Sequence, residues 1–407
     1  MATLAEARAL DAADPLAGYR KHFMLPPGVI YLDGNSLGAL PLGTAARLGR
    51  VVRNEWGEGL VPSWNEAGWI GLPRRVGAMI APLIGARGDE VIACDSTSVN
   101  LFKLIAAALA MRPGRKVVLS EPGNFPTDLY MIAGLEAQRL AERRLAARDD
   151  LESALDEDVA LLLLTHVHYK TGAMHDMARL TRAAHEVGAL VLWDLSHSAG
   201  AVPVDLDACE ADLSVGCGYK YLNGGPGAPS FAYVAQRHHD AIAQPLTGWM
   251  SHAAPFAFVD DYAPAAGIDR LLTGTPPILG LAALEEGVRL IADAGVDRLV
   301  AKSRAMSEFL RGAIAHAAPD LPCISPADPT ARGSQLSFRH PEAYALCQAL
   351  IARGVIGDFR EPDILRLGLA PIYLRFEDCW QAAQALGEVL ASGEWERAEF
   401  KQRAAVT

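Results

Sequence analysis

The sequence predicts an α/β fold in which helices cover both faces of a mostly parallel, doubly wound sheet. Strand and helix patterns alternate over residues 89–234, which is typical of parallel strands joined by helical crossovers. Residues 161–165 are a continuous apolar run, as expected for a strand that is buried on both faces. Polar motifs follow several predicted strands, so we expect the functional site at the carboxyl edge of the sheet.

The individual elements follow from local patterns of apolar residues and helix caps. The predicted strands are residues 90–94, 116–119, 161–165, 189–193 and 212–217. One helix is predicted over residues 98–110, after a start rich in serine and threonine. Another is predicted over residues 177–187, where Gly188 is a suitable C-terminal cap.

The C-terminal third has a different character and predicts a smaller α+β domain. Two long helices are expected over residues 278–294 and 296–317, and short strands at residues 335–339 and 364–369. A chain of 407 residues is also too long for one typical core. The division that we predict is an N-terminal segment (1–60) packing with the small domain, a large domain (61–274) and the small domain (275–407).

The composition is that of a well-packed soluble enzyme, with 51% hydrophobic residues, 21% charged residues and a formal net charge of −11. No run of lysine and arginine could hold a phosphate backbone, so nucleic acid is not an expected partner. No apolar run is long enough to span a bilayer and no signal peptide is recognised, so we expect no membrane contact. The six cysteines are scattered without a CxxC pair, which favours the reducing cytoplasm.

An acid and a lysine follow two successive predicted strands. Asp194 ends the strand at residues 189–193, and Lys220 follows the strand at residues 212–217. They are 220 − 194 = 26 positions apart, the length of one strand, one crossover and the next strand. Both side chains can therefore reach one bound ring. Pyridoxal phosphate requires this pair, a lysine amine for its aldehyde and a carboxylate that keeps its pyridine nitrogen protonated.

Each of these residues alone would suggest an ordinary structural role. An aspartate at a strand end is commonly a cap, and a single lysine is commonly solvated. Lys220, however, lies between Tyr219 and Tyr221 and precedes the glycine-rich residues 223–227. Glycine lets a backbone approach a ligand closely, so the combination favours a cofactor site.

Two further motifs follow predicted strands, and each has a structural alternative. The helix start at Thr97 and Ser98 could bind the cofactor phosphate through backbone N–H groups, or could be an ordinary cap. Phe125 could stack on the cofactor ring with Asp128 beside it, or residues 125–128 could form a turn.

Histidines and a threonine near the next strand ends are further candidates. Thr171 is a candidate hydroxyl facing the cofactor, and His197 is equally expected beside the ring or in a structural role. His166, His168 and His175 have no acidic or cysteine partner at a metal-ligand spacing, so we predict no metal site.

Together these motifs resemble the kynureninase family of pyridoxal-phosphate enzymes, which has the fold type I architecture. The matching segments are YLDGNSLG at 31–38, STSVNL at 96–101, NFPTDLY at 124–130, HVHYKTG at 166–172, WDLSHSAG at 193–200, GYKYLNGGPG at 218–227, GWMSH at 248–252, TPPI at 275–278 and RGSQL at 332–336. They occur in the family's order and span nearly the whole chain. The resemblance implies a large domain with a mostly parallel seven-stranded sheet and a smaller α+β domain.

The resemblance also implies roles for individual residues. Lys220 would hold the cofactor covalently, Asp194 would bond its pyridine nitrogen, and Tyr219 would donate a proton near the reacting carbon. The other cofactor contacts that it implies are Thr97, Ser98, Phe125, Pro126, Thr127, Asp128, Thr171 and His197. Trp249 and Thr275 would reach the phosphate from the partner subunit, which implies a homodimer with shared active sites.

A substrate site is implied as well. We choose Arg366 over Arg375 for the substrate α-carboxylate, because an unpaired arginine inside an apolar strand would be costly. The other substrate contacts expected are Asn35, Ser36, Trp64, His252 and Thr275. Trp64 and Thr275 stand where animal-type members carry histidine and asparagine, so we expect L-kynurenine to be preferred over 3-hydroxy-L-kynurenine.

The implied activity is hydrolytic cleavage of the Cβ–Cγ bond of L-kynurenine, giving anthranilate and L-alanine, in tryptophan catabolism or in NAD biosynthesis. One alternative is another fold type I enzyme, such as a class V aminotransferase or a cysteine desulfurase. A desulfurase needs a nucleophilic loop cysteine, for which Cys323 is the only candidate. A regulatory or scaffolding protein without a cofactor is a further alternative, against which the presence of Lys220 and Asp194 argues.

Overall fold

The computed structural model describes residues 2–403. Its strands are β1 (Phe23–Met24), β2 (Ile30–Tyr31), β3 (Leu40–Pro41), β4 (Val91–Ala93), β5 (Val117–Ser120), β6 (Glu142–Leu145), β7 (Val159–Thr165), β8 (Leu190–Asp194), β9 (Leu213–Gly216), β10 (Phe231–Val234), β11 (Gln335–Arg339), β12 (Val355–Ile356), β13 (Asp358–Arg360) and β14 (Ile364–Gly368). Its α-helices are α1 (Leu4–Ala12), α2 (Leu42–Arg50), α3 (Ser63–Glu66), α4 (Leu72–Ile80), α5 (Thr97–Met111), α6 (Pro126–Ala137), α7 (Met177–Glu186), α8 (Ile278–Ala294), α9 (Val296–Ala317), α10 (Ala343–Ala352) and α11 (Phe376–Ser392).

The largest sheet has seven strands in the order β4–β10–β9–β8–β7–β5–β6. The pairs from β9 through β8, β7 and β5 to β6 are all parallel, whereas β10 is antiparallel to both β4 and β9. The prediction of a mostly parallel sheet is therefore confirmed. The sequence did not indicate β6, whose residues Glu-Arg-Arg-Leu are largely exposed at the sheet edge, or β10, which follows β9 without a helical crossover.

Helices cover both faces of this sheet because its strands direct alternate apolar side chains into two hydrophobic cores. Leu161 and Leu163 of β7 join one core with residues of α5 and α6. Leu162 and Leu164 join the other with residues of α4, α7 and α8. Since β7, β8 and β9 are parallel neighbours, their carboxyl ends lie along one edge of the sheet.

Most predicted helices and strands lie where the patterns indicate. The elements predicted at residues 278–294, 296–317 and 335–339 have those bounds in the structure. The helix predicted at 98–110 is α5, which is one residue longer at each end. The motif at residues 125–128 leads into a helix and not merely a turn. Pro126 stands in the first turn of α6, where a missing N–H leaves no hydrogen bond unmade.

The C-terminal part of the chain forms a second layer of strands and helices that also contacts the N-terminal segment. β11, β14 and β13 form an antiparallel sheet, and α9 packs against α11. β2 pairs with β12, and the Asp11 carboxylate accepts hydrogen bonds from the N–H groups of Phe376 and Glu377. The domain boundaries at residues 60 and 274 stay predictions.

Within residues 2–403, no helix combines the length and the apolar character that crossing a membrane requires. All six cysteines are free thiols.

The backbone of α8 lies directly against the loop that follows Lys220. A Cβ added at Gly287 of α8 would overlap the carbonyl oxygen of Leu222 and lie 2.8 Å from the carbonyl carbon of Asn223. We expect Gly287→Ala to lower the free energy of unfolding by about 1–3 kcal/mol, as overpacking does in other cores. Urea unfolding followed by circular dichroism measures this change.

The matched control is Gly312→Ala in α9, where an added Cβ has nothing within 4 Å. That variant should be unaffected or gain about 0.5–1 kcal/mol, because alanine is the better helix former. Equal effects of the two substitutions would contradict the close approach of α8 to the Lys220 loop.

Candidate active site

Lys220 lies in a buried position at the carboxyl edge of the sheet, four residues after β9. Only 7% of the residue is exposed. Its Nζ lies 5.4 Å from the centre of the Phe125 ring and 5.9 Å from that of Tyr219. Burial, joined by the charges of Arg366 and Arg360, lowers the pKa of the Lys220 amine. The neutral amine, which is the nucleophilic and basic form, is thereby favoured.

Asp194 ends the neighbouring strand. β8 and β9 pair in parallel with Asp194 opposite Val215, so the sheet brings Asp194 and Lys220 to the same edge. Asp194 is buried, and its Oδ1 accepts a 2.7 Å hydrogen bond from the N–H of Ser196. Burial raises the pKa of Asp194, although that hydrogen bond and the Lys220 charge oppose the rise. A cationic partner would restore this carboxyl to its charged form.

A second buried carboxyl, Asp128 in the first turn of α6, lies close enough to Asp194 to affect its ionisation. Its Oδ2 accepts a 3.0 Å hydrogen bond from the hydroxyl of Thr165, the last residue of β7. Its Oδ1 is buried and has no hydrogen-bond partner among the described residues. Burial and the Asp194 charge raise the pKa of Asp128 well above its ordinary value. This oxygen is therefore free to bond a ligand.

The N-termini of α5 and α6 meet beside these carboxyls. The hydroxyls of Ser98 in α5 and Thr127 in α6 lie 2.6 Å apart. The Ser96 side chain caps α5 by accepting a hydrogen bond from the N–H of Val99, and the Thr97 hydroxyl donates to Ser230 at 3.4 Å. Two helix N-termini that bring hydroxyl and N–H groups together are typical of an anion-binding site, so the segment predicted to hold a phosphate has donors of the required kind.

His197, three residues after Asp194, is buried and is held by Gln335 of β11. Its Nδ1 lies 3.1 Å from the Gln335 Oε1, and the Gln335 amide in turn donates to the Tyr169 carbonyl oxygen at 3.0 Å. Burial and the Lys220 charge lower the pKa of His197 far below its usual value, so its ring is neutral. Gln335 was not recognised from the sequence as a site residue, although it belongs to the segment RGSQL.

The N-terminal turn at residues 31–38 supports the Lys220 loop from outside the sheet. The N–H of Gly38 donates to the Tyr219 carbonyl oxygen at 2.8 Å. A Cβ at Gly38 would overlap the Lys220 carbonyl oxygen and lie 2.5 Å from the Asn223 side chain. Asn35 lies 3.4 Å from the Gln335 side chain. The sequence pattern of residues 31–38 indicated only a turn, but the structure places this turn against the Lys220 loop and Gln335.

Arg366 of β14 is fully buried and points toward the same region. Its Nη1 donates to the Tyr169 carbonyl oxygen at 2.7 Å, and its Nη2 donates to the Ser36 hydroxyl at 2.9 Å. Its charge acts on both Lys220 and His197. Asp358 of β13 is its ionic partner, with a 2.8 Å bond to Nε and a second, shorter one to Nη2. From the sequence we expected the substrate carboxylate to be the partner of an otherwise unpaired Arg366; that premise is wrong, because Asp358 already pairs with Arg366 within the chain.

Arg375, the competing arginine, lies elsewhere. It is partly exposed at the start of α11 and forms an ion pair with Asp378 at 2.6 Å. It lines a cavity of about 730 Å³ together with Arg20 and Arg353, on the side of the N-terminal segment. The geometry favours Arg366 as the arginine near Lys220.

Thr171 and the three clustered histidines have partners of their own. The Thr171 hydroxyl lies 3.2 Å from His168 Nδ1 and accepts the N–H of Ala173, bonds that stay within one turn. His166 bonds to the Ser198 hydroxyl at 2.9 Å and His175 to the Glu121 carboxylate at 2.9 Å. Burial lowers the pKa of His166 to about 4. Contacts of this kind give the histidines a structural role.

Of the residues expected in the aryl pocket, Trp64 and His252 are half-buried in the single chain. Trp64 packs edge-on against Trp69, in a cluster against which Ile278 also packs. Thr275 is exposed. The loop that carries His252 is joined to Thr273, whose carbonyl oxygen accepts the N–H of Met250 at 3.1 Å.

Trp249 belongs to an exposed aromatic loop on the same side. The residue is 41% exposed, and its ring contacts those of Phe256 and Phe258. His252 packs against Tyr262 in the same loop, with ring centres 5.9 Å apart. Exposed aromatic side chains gathered in one patch are typical of interaction surfaces.

Known proteins resemble this chain both in sequence and in fold. A family model described as the kynureninase C-terminal domain matches residues 299–386. The chain is 51% identical to a kynureninase from Burkholderia mallei and 49% identical to one from Pseudomonas fluorescens, and both alignments cover all of each chain. Among solved structures, the apo cysteine desulfurase from Thermococcus onnurineus NA1 is similar, with a TM-score of 0.80 and 18% identity over 92% of this chain and 98% of that one.

A mutant of C-DES with glycine covalently linked to its PLP cofactor is also similar, with a TM-score of 0.79 and 17% identity over 90% of this chain and 98% of that one. The fold is therefore that of the fold type I enzymes that use pyridoxal phosphate. Sequence identity of about 50% to kynureninases over the full length identifies the family far more specifically than the shared fold does. The chain belongs to the kynureninase family.

Proposed function

We propose that this chain is a kynureninase that binds pyridoxal 5′-phosphate and cleaves the Cβ–Cγ bond of L-kynurenine by hydrolysis, giving anthranilate and L-alanine. The observation that carries the proposal is the buried Lys220 amine, 5.4 Å from the Phe125 ring, at a sheet edge that also carries Asp194. Membership of the kynureninase family gives that site its substrate.

The residues present fit the cofactor. Asp194 is a buried carboxyl that can accept a bond from a protonated ring nitrogen, and the buried Oδ1 of Asp128 has no hydrogen-bond partner among residues 2–403. Phe125 offers a flat face beside Lys220. The N-termini of α5 and α6, with Thr97, Ser98 and Thr127, offer donors for the phosphate. Pro126, Thr171, His197 and Tyr219 complete the set that we propose.

When bound, pyridoxal phosphate supplies a ring that accepts electrons from the bonds of an attached amino acid. The protein must then place protons. Lys220, whose pKa burial lowers, is suited to accept the substrate α-proton at Nζ. Asp194 holds a proton on the ring nitrogen by supplying its negative charge. Burial raises the pKa of Tyr219, so its hydroxyl keeps a proton that it can donate to the carbon released by cleavage.

The substrate α-carboxylate is proposed to bind Arg366, beside Ser36 and Asn35. Arg366 has five N–H donors. Its bonds to Asp358, Tyr169 and Ser36 use four of them, so one N–H of Nη1 stays available to the substrate. The mechanism therefore uses a buried arginine that Asp358 orients in advance, which reduces the entropy lost on binding.

We further propose a homodimer in which Trp249, His252 and Thr275 complete the active site of the partner subunit. The support is that Thr275 and the aromatic loop around Trp249 are exposed in the single chain. We place the enzyme in the cytoplasm, where its six free thiols stay reduced.

The desulfurase alternative is not favoured, although solved desulfurases share the fold. Cys323 pairs with Phe338 of β11 through its backbone, and burial raises the pKa of its thiol. A reactive cysteine has a lowered thiol pKa, whereas the pKa of Cys323 is raised.

Lys220→Ala is expected to abolish turnover of L-kynurenine, by at least about 10³-fold, and to remove the visible absorbance of the bound cofactor, because no other group supplies that amine. Lys21→Ala, which changes an exposed lysine, is the control and should retain both properties. Near-normal cleavage by the Lys220 variant would refute the assignment.

Arg366→Lys is expected to raise KM for L-kynurenine while the cofactor stays bound, because a lysine keeps the charge but loses the planar fork. Loss of one hydrogen bond to the charged carboxylate costs about 1.5–3 kcal/mol, which corresponds to a rise of roughly 10- to 150-fold. Steady-state kinetics test this beside Arg375→Ala, which should change KM little. The opposite pattern would assign the carboxylate to Arg375.

Wild-type protein is expected to prefer L-kynurenine over 3-hydroxy-L-kynurenine in kcat/KM, because Trp64 offers a flat wall and a single N–H donor. An unpaired buried hydroxyl costs about 1–3 kcal/mol. Trp64→His should reduce this preference, whereas Trp56→His, at an exposed tryptophan, should leave it unchanged. Equal values for both substrates in the wild type would refute the pocket argument.

A further inference from the structure

Two acids and two arginines form one network behind the proposed carboxylate site, in which Asp358 and Arg366 are buried and Asp33 and Arg360 are half-buried. Asp358 of β13 bonds both Arg366 and, at 2.7 Å, Arg360. The Ser36 hydroxyl donates to Asp358 at 2.6 Å and accepts from both arginines. Asp33, which follows β2 and bridges to Gly368 through its backbone, faces this network from the N-terminal segment. One of its carboxyl oxygens, Oδ1, is buried and lacks a hydrogen-bond partner among residues 2–403.

The charge of the network depends on Asp33 alone. The groups that face Asp33 from the surrounding elements are Asp358 and Arg360 of β13, Arg366 of β14, Tyr31 of β2, Tyr221, Tyr373 and Cys347 of α10. Burial raises the pKa values of the three tyrosines and the cysteine, so these groups are neutral. Arginine keeps its proton in proteins. Despite its burial, Asp358 keeps its negative charge, because Arg366 and Arg360 lower its pKa.

With Asp33 protonated, the network of Asp33, Asp358, Arg360 and Arg366 has a net charge of +1, which matches an incoming carboxylate. With Asp33 ionised, the net charge of the network is zero. A bound carboxylate would then make the net charge negative beside the buried Arg366, which is costly. Burial and the Asp358 charge raise the pKa of Asp33 to about 8. Asp33 is therefore mainly protonated at neutral pH and ionised at pH 9.

We propose that Asp33 is a positioning residue that must carry its proton for Arg366 to bind the substrate carboxylate, so that binding in alkaline solution takes up a proton at Asp33. The inference rests on the proposed function, because the ligand is the α-carboxylate of an amino acid at the Lys220 site. It adds a residue of the N-terminal turn that touches neither the substrate nor the cofactor and acts through Asp358 and Arg366.

The test compares wild-type holoenzyme with Asp33→Asn, whose neutral amide imitates the protonated acid at every pH. The ratio of the wild-type KM for L-kynurenine to that of the variant should rise about tenfold between pH 7 and pH 9, because a group with a pKa near 8 is then about nine-tenths ionised. The ratio of the two kcat values should stay constant. Asp293→Asn, at an exposed acid of α8, should follow the wild type.

A second measurement does not depend on cleavage or on the variant. L-Alanine and ethylamine differ by the carboxylate, and calorimetry in buffers of different ionisation enthalpy counts the protons taken up by wild-type holoenzyme with each. At pH 8.5, binding of L-alanine should take up more protons than binding of ethylamine, by about three-quarters of a proton, because a group with a pKa of about 8 is ionised to about that extent. At pH 6.5 the difference should vanish.

The outcomes separate this inference from the proposed function. A protein that cleaves L-kynurenine but shows a constant KM ratio and no carboxylate-linked proton uptake would overturn the role of Asp33 alone. Proton-linked binding of L-alanine without cleavage of L-kynurenine would support Asp33 and refute the proposed reaction. If L-alanine bound no better than ethylamine at either pH, the assignment of the carboxylate to Arg366 and the role of Asp33 would both be wrong, whether or not the protein cleaves L-kynurenine.

Discussion

The burial of the Lys220 amine is the constraint on which the rest of the site depends. A charged amine is costly in a medium of low dielectric constant, and burial accordingly lowers the pKa of Lys220 while it raises those of Asp194 and Asp128. Each group therefore holds its proton according to the charge of its neighbours. A ligand that brings a ring nitrogen and a phosphate to this edge would change the balance of all three groups.

The site is closed by parts of the chain that are far from the sheet in sequence. The N-terminal turn reaches the Lys220 loop through Gly38, and Asn35 reaches Gln335 of β11. Arg366 of β14 bonds the Tyr169 carbonyl oxygen after β7. The N-terminal turn and β14 must consequently both be in place to form the proposed carboxylate site. On that proposal, the same links couple substrate recognition to the packing of the C-terminal unit against the sheet.

The sequence predicted those features of the site that depend on residues close together along the chain, and it missed features that depend on contacts between distant residues. The apolar runs of β7 and β8 and the 26-residue interval between Asp194 and Lys220 are local patterns, and the structure places both residues at one sheet edge. Strands β6 and β10 were missed because one has a charged edge pattern and the other lacks the helical crossover on which the prediction relied. The aryl-pocket residues remain a prediction, since no contact within the single chain joins Trp64, His252 and Thr275 to Lys220 among the described residues.

By itself, the sequence determined the alternation of strands and helices from β4 to β9, the lysine and aspartate pair, and the resemblance to kynureninases, because periodicity, spacing and motif are properties of neighbouring residues. Only the tertiary structure decided that Arg366 has Asp358 as its ionic partner, since that pairing depends on the register of β13 against β14. It alone brought Asp33 to Asp358, 325 positions further along the chain (358 − 33 = 325). Burial and the charges that set a pKa are properties of neighbours in space, and no local pattern contains them.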